Sequence, residues 1–117
     1  MSSVHFMSNS NEWETPQDLF DELDSEFHFT LDPCATDQNA KCDRYYTKEK
    51  TGLRCWKYNV VFMNPPYGRE IGKWIEHAYW QAQAGYATTV ALIPARTDTK
   101  YWHDFVMKSK EIRFIKG

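Results

Sequence analysis

The sequence predicts an α/β domain built on an open, mainly parallel sheet with helices on its faces. Two apolar runs of strand length, at 60–63 and 88–93, flank a segment whose apolar residues recur at helical spacing. Shorter apolar segments of the same two kinds lie on either side, so the order reads β-α-β-α-β, the pattern of crossover-connected parallel strands. At 117 residues the chain makes one domain, large enough to bury a core.

Residues 1–12 are polar, rich in Ser and Asn, and read as a flexible N-terminal tail, with order beginning at Trp13. Thr15-Pro16-Gln17-Asp18 reads as a helix start, with Thr15 as N-cap, Pro16 at the first helical position and Asp18 in the first turn. Leu19, Phe20, Leu23 and Phe27 then form one apolar face. Phe27, Phe29 and Leu31 alternate toward Asp32-Pro33, the signature of a short strand that ends on a carboxylate. The spacing predicts a short helix over 36–42, a weak strand at 45–47 and a charged loop over 48–52.

Val60-Val61-Phe62-Met63 reads as the buried central strand. Ile71, Trp74, Ile75, Ala78 and Ala82 mark a helix with one apolar stripe, ended near Gly85. A strand over 88–93 closes at Pro94, a short helix carries Tyr101, Trp102, Phe105 and Val106, and a last strand carries Ile112, Phe114 and Ile115. The sequence stops directly after that strand, at Lys116-Gly117, which would leave an open edge. The expectation is a chain truncated at its C-terminus, its last strands missing, with oligomerisation through that edge as the other way to cover it.

A net charge of −2 supplies no global field for a polyanion, so any nucleic-acid contact must be local. No apolar run is long enough to span a membrane, and no secretory leader is evident. Cys34, Cys42 and Cys55 are odd in number and lack paired spacing, which reads as reduced thiols in a cytoplasmic protein. Nothing in the spacing of Cys and His supports a metal site, and no Gly-rich phosphate loop or nucleophile–base arrangement is legible.

The chemistry concentrates at Asn64-Pro65-Pro66-Tyr67, directly after the central strand. Open α/β sheets bind ligands at the carboxyl ends of their strands. Two prolines stiffen the corner and supply carbonyls without N–H groups. An Asn side-chain oxygen beside such a carbonyl can receive both hydrogens of one amino group, and a Tyr ring can stack on the flat group that bears it. The corner therefore suits a planar amine such as the exocyclic nitrogen of adenine. Asp32, with the small residues Pro33-Cys34-Ala35 after it, suits the amino group or ribose hydroxyl of an amino-acid-like cofactor, or equally a cap on the next turn. Arg69, Lys73 and Arg96 are scattered cations that could flank an anionic groove.

Trp13-x-Thr15-Pro16, Leu31-Asp32-Pro33-Cys34-Ala35, Asn39-Ala40, Tyr45-Tyr46-Thr47, Trp56, Asn64-Pro65-Pro66-Tyr67 and Leu92-Ile93-Pro94-Ala95-Arg96-Thr97 together resemble one family. It is the phage-encoded, Dam-like DNA N6-adenine methyltransferases, and the resemblance runs from about Trp13 to the end. It implies a Rossmann-like class I fold using S-adenosylmethionine (AdoMet), with residues 13–117 as the methyltransferase domain. It implies that Trp13, Thr15 and Pro16 lie over the methionine end of the cofactor, that Asp32, Pro33, Cys34 and Ala35 line its pocket, and that Asn64, Pro65, Pro66 and Tyr67 hold a flipped adenine. Double-stranded DNA becomes the expected partner and the host cytoplasm the expected location.

Two departures from the family pattern stand out. Thr51 precedes Gly52 where an acid is usual, and family members continue past position 117. RNA bases and protein glutamine amides present similar planar amines, and an inactive remnant that binds cofactor or a partner is the remaining alternative.

Overall fold

The computed structural model describes the backbone of residues 3–8 and the whole of residues 14–116. In chain order the elements are β1 (Ser3–Ser8), α1 (Gln17–Phe27), β2 (Asn59–Met63), α2 (Ile71–Gln83), β3 (Ala87–Pro94), α3 (Lys100–Asp104), a 3-10 turn (Val106–Lys108) and β4 (Glu111–Phe114). The strands form one parallel sheet in the order β2-β3-β1-β4. Beyond β2, Leu31 bridges to Val61 and Asp32 to Tyr45, both parallel, which extends the sheet by two very short rungs.

Alternation along the central strands divides the core in two. Val61 and Met63 of β2, with Ala91 and Ile93 of β3, pack against Ile71, Trp74, Ile75 and Ala78 of α2. Phe62, Val90 and Leu92 point the other way, onto Phe20 and Leu23 of α1. On that side Phe20 meets Phe62 edge-on, with ring centres 5.2 Å apart. The sheet is thus covered on both faces, and this leaves its strand ends as the places where a ligand can enter.

Five expectations are corrected. Ser3–Ser8, assigned to a flexible tail, forms β1 between β3 and β4; the alternation of Val4 and Phe6 is a strand signal too short to stand out among Ser and Asn. The strand expected from Phe27 to Leu31 shrinks to the bridges at Leu31 and Asp32, because α1 runs on through Phe27 and His28 turns left-handed at φ 58°, its N–H donating to the Asp24 carbonyl. Residues 36–42 make a turn and bends instead of a helix, and 45–47 contribute only the bridge at Tyr45. Thr15 does not cap α1: Pro16 occupies the cap position and makes no side-chain cap bond, and it is Asp18 that accepts a first-turn amide, the Leu19 N–H at 2.9 Å. The expected α2, β3 and β4 are present, with α2 ending just ahead of Gly85.

Candidate active site

From Leu31-Asp32 the chain moves outward to Tyr45, whereas from β2 it moves the opposite way to β3. The order of the sheet therefore reverses between Leu31 and β2, and in open α/β sheets such a switch point opens a crevice beyond the strand ends. A cleft of about 810 Å³ lies there. Pro33, Cys34 and Ala35 form one wall, and Asn64, Pro65, Pro66 and Tyr67 form the other.

The corner after β2 is held from two sides. The Asn64 amide nitrogen donates to Thr15 Oγ1 at 3.1 Å, across 49 positions of sequence. Tyr67 donates its hydroxyl to the Leu92 carbonyl at 3.4 Å, which ties the ring to β3. Burial, with a smaller contribution from Tyr101, pushes the Tyr67 phenol up to about 12, so it stays neutral across the physiological range. Pro65 is buried while Pro66 is exposed, and Gly68 at φ 96° lets the chain swing from the corner into α2.

The opposite wall is built by side chains that tie down its backbone. Asp32 is 4% exposed and does not line the cleft. Its two oxygens accept the backbone N–H groups of Cys34 at 3.3 Å and Lys41 at 3.0 Å, closing the loop over 33–41. Burial raises its carboxyl above the usual range in spite of these bonds. Burial also raises the Cys34 thiol well above its ordinary value, so Cys34 presents a neutral S–H to the cleft. Trp56, fully buried, donates its ring N–H to the Gly52 carbonyl at 2.7 Å and so anchors the segment carrying Thr51 and Leu53. Thr51 lines the cleft, its Oγ1 accepting the Leu53 N–H at 3.1 Å.

Most of the site residues expected from the sequence therefore meet in one place. Thr15, Pro33, Cys34, Ala35 and the four corner residues line the cleft; Pro16 and Asp32 stand behind it as chain organisers, and Trp13 lies outside the described residues. Of the three scattered cations only Lys73 reaches the cleft, paired to Glu70 at 2.8 Å, while Arg69 and Arg96 do not line it. Lys41, Lys48 and Trp74 also line it and were not anticipated. Trp74 belongs to the apolar stripe of α2, and its position at the first turn, facing the corner, is the signal that sequence periodicity hides. Among the described residues no three His, Cys, Asp or Glu side chains cluster as metal ligands, and no helix is long and apolar enough to cross a membrane.

A model of the DNA N-6-adenine-methyltransferase (Dam) family matches residues 3–117. The chain belongs to this family. It is 31% identical over 111 residues to a DNA N-6-adenine-methyltransferase of Haemophilus phage HP1, covering 92% of this chain and 64% of that one. It is 28% identical over 111 residues to a DNA N-6-adenine-methyltransferase of Escherichia phage T1, covering 90% of this chain and 44% of that relative. This Dam-family chain thus spans about two thirds and under half of the lengths of these two curated relatives. No solved structure matches it.

Proposed function

We propose that this chain carries the AdoMet- and adenine-binding half-sites of a DNA N6-adenine methyltransferase, on a Rossmann-like class I sheet, acting on double-stranded DNA in the host cytoplasm. The observation that carries the reading is the convergence of the Asn64–Tyr67 corner and the Pro33–Ala35 wall on one cleft at the sheet's switch point. Family membership and the activity for which the two phage relatives are named support it.

The cleft fits the cofactor in size and lining. Its volume of about 810 Å³ lies within the ordinary range for small-molecule sites. Pro33, Cys34 and Ala35 allow close approach to the backbone, and Glu14, Lys41 and Lys48 supply charges of both signs for an amino acid's zwitterion. When bound, AdoMet supplies an electrophilic methyl group, which leaves positioning and electrostatics to the protein. The partly buried Cys34 thiol, raised by desolvation, stays protonated, which keeps a competing nucleophile out of the pocket. Asp32 shapes this wall through the Cys34 and Lys41 amides rather than by contact.

The amino nitrogen of adenine is a poor nucleophile because its lone pair is delocalised into the ring. Hydrogen bonds from that amino group to the Asn64 Oδ1 and the Pro65 carbonyl favour a more tetrahedral nitrogen as positive charge develops. The base leaves the duplex to reach the corner, and the Tyr67 ring, its hydroxyl tied to Leu92, offers a stacking face. Transfer of labelled methyl groups from AdoMet to duplex DNA, RNA and a glutamine-bearing protein tests the reading. Label recovered as N6-methyladenine from DNA is expected; label only in RNA or protein, or neither transfer nor AdoMet binding, overturns it.

A further inference from the structure

The small net charge hides an uneven distribution. Residues 41–57 hold six of the fourteen Lys and Arg but only two of the sixteen Asp and Glu, so this segment carries +4 and the remainder of the chain −6. Five of the acids lie in α1, which has no Lys or Arg. The two regions belong to opposite sides of the sheet: Tyr46, Leu53 and Trp56 pack with the α2 side, and α1 covers the other. Through its parallel bridge to Asp32, Tyr45 forms the outermost rung of the sheet, and the chain leaves that rung where the cleft opens. There Thr47 and Lys50 exchange backbone hydrogen bonds at 3.1 and 3.2 Å, closing a tight turn whose first two residues line the cleft.

Arg44, Lys50 and Arg54 are exposed around this rung and do not line the cleft. Arg54 is held in place: its guanidinium lies 4.4 Å from the centre of the Tyr46 ring, and its Nε donates to the Thr51 carbonyl at 2.7 Å. Among the described residues none of the three forms an ion pair, not even with the neighbouring Asp43 and Glu49, whereas Lys73, Arg96, Lys100 and Arg113 each meet a carboxylate. We propose that Arg44, Lys50 and Arg54 form the surface that receives the phosphate backbone of duplex DNA beside the cleft. The proposal rests on the functional reading above, in which a base leaves the duplex for the Asn64–Tyr67 corner. Such a base carries its flanking phosphates to the cleft's rim. Phosphate contacts fix the register of a protein on its duplex. The acidic α1 side turns the polyanion away, so a chain that is acidic as a whole takes DNA by one edge.

Binding of the full 117-residue chain to a labelled duplex oligonucleotide, measured across a salt series, tests this. Each phosphate neutralised contributes about 0.9 to the slope of log K against log salt. Arg44→Gln, Lys50→Gln and Arg54→Gln combined should therefore flatten the slope by about 2–3 and weaken binding at least about tenfold at 0.1 M salt. The loss should be alike for duplexes of unrelated sequence, because phosphate contacts carry no sequence information. Lys108→Gln, Lys110→Gln and Lys116→Gln combined remove the same charge around β4, at the far edge of the sheet, and should leave the slope as it is. A slope that responds equally to both sets, or not to the first, overturns the proposal. A wild-type slope shallower than about 1 overturns it without any variant having to fold. Binding that depends on the three residues but goes to RNA and not to duplex DNA overturns it too. If the first set flattens the slope while the wild type forms no N6-methyladenine, the surface stands and the assignment to adenine methylation fails. Methylation of adenine with a slope indifferent to the first set is the reverse case.

Discussion

The bare α-carbon of Gly52 packs directly against Pro33: a methyl group there would overlap the Pro33 carbonyl oxygen and lie 2.7 Å from its Cβ. The neighbours of Gly52, Thr51 and Leu53, line the cleft together with Pro33, so this contact sets the width of one wall. The atoms in the way are backbone and ring, which cannot turn aside. Gly52→Ala is expected to destabilise the fold by about 1–3 kcal/mol, the usual cost of overpacking. It should also weaken AdoMet binding. Thermal denaturation and calorimetric titration check both, and an unchanged affinity would show that the wall is not part of the cofactor site.

Asp32 is expected to matter through its neighbours' backbone. Its two oxygens satisfy two N–H groups, and an Asn in its place has only one oxygen and turns an NH2 toward a second donor. Asp32→Asn relieves the burial of a charge but leaves one amide unpaired, at a cost of about 1–3 kcal/mol. The expected outcome is a lower melting temperature with faster hydrogen exchange at the Cys34 or Lys41 amide. A variant that keeps its stability and loses only AdoMet affinity would return Asp32 to the role of direct ligand.

What the sequence made legible, and what it hid, follows from the range of the interactions. β2, β3 and α2 were readable because their patterns are local: a buried run, a run closed by Pro94, a stripe at i, i+3 and i+4. The corner at Asn64 was readable for the same reason, as a stiff tetrapeptide attached to a strand. Residues 36–47 were misjudged because no periodic element holds them; the loops between Asp32 and β2 depend on Asp32, Gly52 and Trp56 reaching particular backbone atoms. The bond from Asn64 to Thr15 joins residues far apart in sequence, and Thr15 before Pro16 has the local grammar of a cap whether or not it acts as one. In β1 the strand pattern is only six residues long and embedded in polar sequence.

Arg113 of β4 grips Glu26 of α1 with two nitrogens, at 2.8 and 2.6 Å, and this pair ties the last strand to the helix on its face. The hydrogen bond from Arg113 holds the Glu26 carboxyl below the usual carboxylate range. A carboxylate with a depressed folded-state pKa stabilises above its unfolded value and loses that contribution as pH falls through the folded one. Glu26→Gln should therefore be less stable than the wild type at pH 7, with the two converging below about pH 4. Both groups are partly exposed, so the difference should be small and should shrink in 1 M salt, where the screening length is about 3 Å. Paired urea titrations across this pH range measure it, and a gap that persists in acid would assign the effect to packing over the Phe27 ring.

Asn64→Ala is the sharpest perturbation of the corner. It removes the oxygen that would receive the substrate amino group, together with the nitrogen that Thr15 holds. Losing one preorganised hydrogen-bonding group of an active site costs on the order of 2–4 kcal/mol in the transition state, or about 30- to 1,000-fold in kcat. The Pro33–Ala35 wall of the cleft is untouched by the substitution, so AdoMet affinity is expected to hold. The fold should hold as well, since Asn64 is only half-buried and lies just beyond the end of β2. Methyl transfer that survives Asn64→Ala while AdoMet binding disappears would place Asn64 on the cofactor, and the adenine would then have to be held elsewhere in the cleft.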